Sequence, residues 1–209
     1  METEFHLFHV KGQPRPLEIP LRYTRHGPVI YEATPVQRAY ALRWTGSEPG
    51  AAAYLASLSL DRANNWEEFR EALTRWKQPV ENLVYADMDG HIGYQAAGAV
   101  PRRSNWSGIV PVPGSTGAFE WDGFLSLDEL PHVFNPEKGY IATANHCVLS
   151  PDDPRHIGYD WSPDFRFRRI DKVLQGAGLF TVGDFNRLQG DVVSLPARDL
   201  IDMIRSFRF

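Results

Sequence analysis

The chain has 209 residues, 43% hydrophobic and 23% charged, with a formal net charge of −4. That is enough apolar material for a sizeable core, yet no stretch reaches the roughly 18 consecutive apolar residues of a membrane-spanning helix. A mildly acidic balance without a Lys/Arg cluster argues against nucleic acid and anionic membrane as partners. The single cysteine, Cys147, excludes an internal disulfide and any zinc site that needs two thiolates. The start, Met1-Glu2-Thr3-Glu4, shows no basic-then-apolar signal-peptide pattern. Many Gly, Pro and aromatic residues, with no repeat or low-complexity block, point to a strand- and turn-rich fold rather than a helical bundle.

In chain order, Phe5–Val10 and Leu17–Tyr23 read as strands around the loop Lys11–Pro16. The turn Arg25-His26-Gly27-Pro28 leads to a short apolar run, Val29–Tyr31, and Ala39–Thr45 reads as another strand. The period then changes. Ala51–Arg62 carries Tyr54, Leu55, Leu58 and Leu60 at helical spacing, and a second helix starts at Asn64 or Asn65 as cap. Glu67 and Glu68 favour its first turn, Trp66, Phe69, Leu73 and Trp76 form its stripe, and Pro79 follows its end. Asn82–Asp87 and His91–Ala96 flank Met88-Asp89-Gly90, where Asp-Gly predicts a hairpin with a type I′ turn. A proline-rich stretch, Pro101–Pro113, and a connection from Trp121 to Leu130 lead to a strand over Tyr140–Asn145. Phe165–Leu174, Thr181–Leu188 and Ala197–Phe207 read as helices, the last without a Gly or Pro stop before Phe209. Helices flanking several strands make an α+β chain.

Self-sufficient catalytic motifs are absent: the sequence has no Gly-x-Ser-x-Gly elbow, phosphate loop, dinucleotide fingerprint or His-Glu-x-x-His. His6 and His9 would face opposite sides of a strand and read as ordinary strand residues. Asp87-x-Asp89-Gly90 has the wrong glycine spacing for a calcium loop and reads as a turn. Cys147, beside His146 on an expected strand, reads as a buried structural thiol, because adjacent strand residues face opposite ways and the imidazole cannot reach the sulfur. Spacing alone names no nucleophile–base pair.

Five ordered stretches carry a resemblance. Thr24-Arg25-His26-Gly27-Pro28-Val29-Ile30, Asn82–Tyr94, Asn135–Asn145, Arg166-Phe167-Arg168-Arg169-Ile170 and Leu188–Ser194 together resemble the penicillin acylase family. The resemblance implies an N-terminal-nucleophile hydrolase: a precursor cleaves itself, and a freed N-terminal Ser attacks an amide with its own α-amino group as base. It also implies two antiparallel sheets between two helical layers, αββα, of which this chain would be part. Residues 1–209 are then expected to form a single partial domain, an internal segment of a penicillin acylase-like catalytic chain.

Carried over residue by residue, Asn145 matches the side-chain donor of the oxyanion hole, and Arg166 matches an arginine that supports it. His26 is expected to brace its turn and Asp191 to cap or brace the last helices, while Arg168 and Arg169 read equally well as solvated helix charges. Glu81 falls where phenylacetyl-specific relatives place an apolar acyl-pocket residue, so the parent enzyme is expected not to prefer phenylacetyl groups. Calcium belongs to some relatives; Asp152 and Asp153 lie near the corresponding loop but match only across a gap, and no metal ligand is assigned. No processing junction with an N-terminal Ser occurs in the sequence. The nucleophile, its amine and the backbone oxyanion donor are therefore expected to lie in further N- and C-terminal segments of the same enzyme. The resemblance implies an acyl amide as substrate, whether a linear amide, a β-lactam side chain or an acyl-homoserine lactone, and an exported family. Two other readings stand beside it: a non-catalytic binding or assembly module that keeps the fold core, and a thiol hydrolase that uses Cys147.

Overall fold

The computed structural model describes residues 1–51, 54–150, 152–153, 155, 157–176 and 178–207. The chain divides into two compact units. The first comprises Met1–Ala63, Glu71–Glu81 and Ala97–Leu127; the second comprises Asn64–Arg70, Asn82–Ala96 and Asp128–Phe209.

In the first unit four strands form an antiparallel meander: β1 (Glu2–Phe8), β2 (Leu17–Thr24), β3 (Gly27–Ala33) and β4 (Arg38–Ala41). β1 runs longer at its start than its alternation predicts, pairing Glu2 with Tyr23 through to Phe8 with Leu17, and β4 ends well short of Thr45. The β2–β3 turn is only Arg25-His26, closed by the Thr24–Gly27 pair. Gly27 is required there: its φ is +125°, and a Cβ would lie 2.2 Å from the carbonyl oxygen of Leu42. His26 does brace this turn, through its Nε2 at 2.9 Å from Oε1 of Glu120. Arg25 donates to the same oxygen at 3.0 Å, and these two side chains hold the Glu120 carboxyl below the usual range. Phe5, Leu7, Ile30 and Tyr31 are all exposed on this sheet.

Helix α1 (Tyr54–Leu60) is shorter than the expected Ala51–Arg62, of which residues 52 and 53 lie outside the described residues. Helix α2 (Trp66–Leu73) begins where its cap predicts. Asn65 Oδ1 accepts the Glu68 N–H at 2.8 Å, and the Glu68 carboxylate accepts the Asn64 N–H at 2.8 Å. Leu73, on this helix, is 1% exposed.

The second unit's sheet orders β5 (Glu81–Ala86), β6 (Ile92–Ala97) and β7 (His132–Phe134). β7, with Gly93 opposite Phe134, was not legible as a strand. Asn135 closes it in a left-handed conformation, φ +47°, its Oδ1 accepting the Ile92 N–H at 3.0 Å. The expected β5–β6 hairpin forms, but not by a type I′ turn. Only Gly90 (φ +89°) has positive φ, the Gly90 N–H reaches Asp87 O at 3.4 Å, and the Asp87 N–H reaches His91 O at 3.1 Å. That is a three-residue loop closed by a left-handed glycine. Asp87 holds it together: Oδ1 accepts the Asp89 and His91 N–H groups at 3.0 and 2.9 Å, and Oδ2 accepts the Tyr85 hydroxyl at 2.8 Å. Trp66 stacks on Phe69 and Phe134 and tilts against Tyr85, with ring centroids 5.2 to 5.6 Å apart.

Three helices complete this unit: α3 (Phe165–Gln175), α4 (Val182–Gln189) and α5 (Leu195–Ser206). All three stand where the periodicity predicts, within a residue or two. Thr181 and Asp184 form a full capping box on α4, and Ser194 caps α5. α5 ends at Ser206 with Phe207 as its C-cap, and residues 208 and 209 lie outside the described residues. Asp191 braces the helices as expected, accepting Arg169 Nε at 3.0 Å and the Val193 N–H at 3.0 Å.

Two outcomes test this account. Gly93→Ala places a Cβ 2.4 Å from the Trp66 ring, so chemical denaturation should show a loss of about 1–3 kcal/mol. Burial alone would raise the Asp87 carboxyl, but its hydrogen bonds from His91 and Tyr85 prevail and lower it from 3.8 to about 2. A depressed carboxyl stabilises the fold fully above its unfolded value and loses that contribution as pH falls through the folded one. The difference in melting temperature between the parent and Asp87→Asn should therefore be full above about pH 4 and vanish toward pH 2.

Candidate active site

Asn145 and Arg166, paired by their motifs, meet in the second unit. Arg166, in the first turn of α3, donates from Nη2 to Ala144 O at 2.8 Å, to Asn145 Oδ1 at 3.1 Å and to Ser162 Oγ at 3.4 Å. A guanidinium only donates, so the amide oxygen of Asn145 is the atom facing it, and the amide NH2 is turned outward. Among the described residues that NH2 has no partner, and Asn145 is exposed.

The backbone carrying Asn145 corrects the expectation of a strand. Residues 140–145 form none; Asn145 itself sits in a bend with φ +61°, the left-handed region that Asn tolerates better than most residues. The segment is fastened to α3 instead. The Tyr140 hydroxyl donates to Asp171 Oδ1 at 2.7 Å, and the His146 ring stacks on Phe167 with centroids 3.8 Å apart. Together with Arg166, these hold the bend at three points along one helix. The Ser162 N–H, donating to Asn145 O at 2.9 Å, adds a fourth tie just before α3.

Beside this point lies a cavity of about 530 Å³, lined among others by Ser162, Arg166, Ile170, Val193 and Leu195. Arg169 also lines it and is neutralised by Asp191, whose carboxyl that pairing lowers. Arg169 is therefore an ion-pair partner rather than a solvated helix charge, whereas Arg168 lies half exposed near Asp164 and Asp199. Arg166 is thus the cation of this cavity that touches Asn145.

The other candidates fall elsewhere. Glu81 is exposed at the first residue of β5, in the first unit. Cys147 is exposed rather than buried, because the bend replaces the strand that would have carried it inward, and its thiol approaches Leu149 O at 3.9 Å. Asp153 does not fit a calcium ligand: both its oxygens accept from Arg155, Oδ1 at 2.8 Å and Oδ2 at 3.0 Å from Nε, which lowers the carboxyl to about 2. Among the described residues, the one group able to gather around a cation is Asp87, Asp89 and His91, and Asp87 there is already spent on closing the hairpin.

The antiparallel sheets and helices of this α+β chain match those of a solved N-terminal-nucleophile hydrolase. A thermostable penicillin G acylase from Alcaligenes faecalis superposes with a TM-score of 0.76 at 30% identity, over 88% of this chain and 33% of that one. The penicillin amidase family model matches residues 1–208, and the chain belongs to that family of amidohydrolases. Among relatives, penicillin acylase 2 proenzyme of Pseudomonas sp. (strain SE83) is 32% identical across 82% of this chain and 22% of its own length. The acyl-homoserine lactone acylase QuiP of Pseudomonas aeruginosa is 29% identical over 90% of this chain and 23% of its own. Penicillin G acylase of Escherichia coli is 36% identical over 73% and 18%. The chain thus spans about a fifth of the length of the curated relatives it matches.

The left-handed backbone and the amide can be separated experimentally. Asn145→Gly should unfold within about 1 kcal/mol of the parent, because glycine adopts positive φ without strain while only the side-chain hydrogen bond to Arg166 is lost. Asn145→Ala should lose about 1–2 kcal/mol in thermal or chemical unfolding.

Proposed function

We propose that this chain is an internal part of the catalytic chain of a penicillin acylase-like amidohydrolase, and that Asn145 is the side-chain donor of its oxyanion hole. The observation that carries the reading is the amide of Asn145: its oxygen is captured by Arg166, its NH2 is directed outward, and the residue is exposed. A donor already oriented before charge develops loses nothing to reorganisation, which is what stabilises a tetrahedral oxyanion. Arg166 is then a positioning residue. It fixes the amide's flip, and its charge supports a neighbouring anion without ever offering a proton. The cavity beside Arg166 has room for part of an acyl amide.

The attacking Ser, its amine and the backbone oxyanion donor belong, on this proposal, to other segments of the same enzyme. The small share of each relative that the chain spans supports this, as do the exposed Phe5, Leu7, Ile30 and Tyr31 on the first sheet, which further chain would cover. In this reading residues 1–209 act as one segment of the larger domain. The substrate is an acyl amide, of the penicillin or acyl-homoserine lactone type named by the relatives. By the family resemblance alone, Glu81 corresponds to an acyl-pocket position, where a carboxylate disfavours an unsubstituted phenyl ring.

In the complete enzyme, Asn145→Gly should reduce kcat by about 10²–10³ with a smaller change in KM, while unfolding experiments report an intact fold. Unchanged kcat in a folded Asn145→Gly enzyme sinks the assignment. The purified 209-residue chain alone should hydrolyse no acyl amide, and turnover that disappears in Asn145→Ala would place the nucleophile within it. Glu81→Leu should raise the rate on phenylacetyl amides at least about tenfold relative to polar acyl amides.

A further inference from the structure

The meander of the first unit ends in two unlike edges, β1 and β4. β4 is four residues long and stands beside an irregularity in β3 between Val29 and Tyr31, so it offers little for another strand to pair with. β1 is the opposite case. Its seven residues pair with β2 without a break, and no proline, lysine or bulge interrupts them. Among the described residues no strand lies beyond β1, and all seven of its residues are exposed. Half the backbone N–H and C=O groups of such a strand face away from its neighbour, which makes the edge a template for one more strand.

The sequence of this edge is complementary to itself, and we propose that β1 pairs antiparallel with β1 of a second copy of the chain, about a two-fold axis at Phe5. In a two-fold pairing of strand edges, each register is defined by the residue that faces its own copy. Centred on Phe5, all seven residues overlap, and Glu4 of each copy lies opposite His6 of the other. Within one chain these two side chains already meet on one face of the sheet, His6 Nε2 lying 3.1 Å from Glu4 Oε2. The pairing therefore sets two carboxylates, which only accept, alternately with two imidazoles, which can donate. On the other face Phe5 meets its copy, and Leu7 lies opposite Thr3. Neighbouring registers forfeit this match. Centred on Glu4, that carboxylate faces its own like charge; centred on His6, two imidazoles meet and Glu4 falls opposite Phe8. Pairing occupies the edge and leaves the faces of the sheet, with Ile30 and Tyr31, open to further chain. The inference goes beyond the amidase reading and does not rest on Asn145 being catalytic.

The test is sedimentation velocity on the full chain, from low micromolar to submillimolar concentration. A reversible rise from 23.7 kDa to twice that mass is expected. His6→Glu sets like charges opposite each other at two symmetry-related places, so the dimer should dissociate about tenfold more readily. Adding Glu4→His to His6→Glu exchanges the two residues and keeps unlike groups opposite, which should restore the parent affinity to within about twofold. Cysteine cross-linking reads the register in a Cys147→Ser background treated with copper phenanthroline. Phe5→Cys should form a disulfide-linked dimer, whereas Phe8→Cys, whose two copies lie about 20 Å apart in this register, should not. Circular dichroism melts establish that each variant folds, as expected for exposed positions. A monomer at every concentration overturns the proposal and leaves the edge to a strand of different sequence. So does a dimer that His6→Glu leaves unchanged, a folded exchange variant that stays weakened, or cross-linking at Phe8→Cys as readily as at Phe5→Cys. Amidase activity is not the readout, so either conclusion stands or falls without the other.

Discussion

The contact between the Arg166 guanidinium and the carbonyl oxygens of Ala144 and Asn145 is the constraint from which the rest of the candidate site follows. An asparagine amide on a mobile loop could present either its oxygen or its nitrogen to an incoming group. A guanidinium has no acceptor, so it selects one orientation and rejects the other. It also remains charged at any pH the protein meets, so the selection does not titrate away. The left-handed backbone at Asn145 contributes the second half of the constraint, turning the residue out of the segment's extended path.

Helix α3 serves as the frame for this arrangement. Arg166 and Phe167, one after the other in its first turn, reach Asn145 and His146, which are also successive in the bend. One turn beyond Phe167, on the same face, Asp171 takes the Tyr140 hydroxyl. The bend and the helix thus run alongside each other, joined by three contacts of different chemistry: a charged hydrogen bond, a ring stack and a neutral donor on a carboxylate. Arg169 points to another partner, Asp191, and ties α3 to the segment that leads into α5. A helix is a stiffer support than the lone extended strand that the alternation of residues 140–145 suggests, because its backbone hydrogen bonds are all internal.

What the sequence makes legible here is what short-range chemistry decides. Asn65 capping α2, Thr181 with Asp184 on α4, and Asp-Gly in the β5–β6 loop each act within a few residues, and each element formed close to its expected position. The turn at Asp89-Gly90 departs from type I′ because Asp87, two residues before Asp89, offers its carboxylate to the Asp89 and His91 N–H groups and makes a longer loop the better one. The segment 140–145 departs from a strand for the opposite reason. Its alternation is real, but Ala142 and Ala144 offer little side chain to a sheet, and the partners that place it lie more than twenty residues onward in α3. Glu120 closing on His26 from 94 residues away is the same case. The exposure of Cys147 follows directly from losing the strand. The pairing of Asn145 with Arg166 was legible only through the ordered family motifs, since nothing in the local pattern joins two residues 21 apart.

These features bear on what the proposed oxyanion donor can contribute. An oxyanion donor lowers a barrier only where negative charge forms within its reach, and charge forms only where a nucleophile attacks. In the proposed role Asn145 is therefore chemically silent by itself, yet its orientation must already be complete before the nucleophile is present, because late reorganisation would cancel the gain. The contacts that achieve this, from Arg166, Phe167, Asp171 and the Ser162 N–H, all come from the unit that carries Asn145. The orientation of the Asn145 amide thus depends on local packing within one unit.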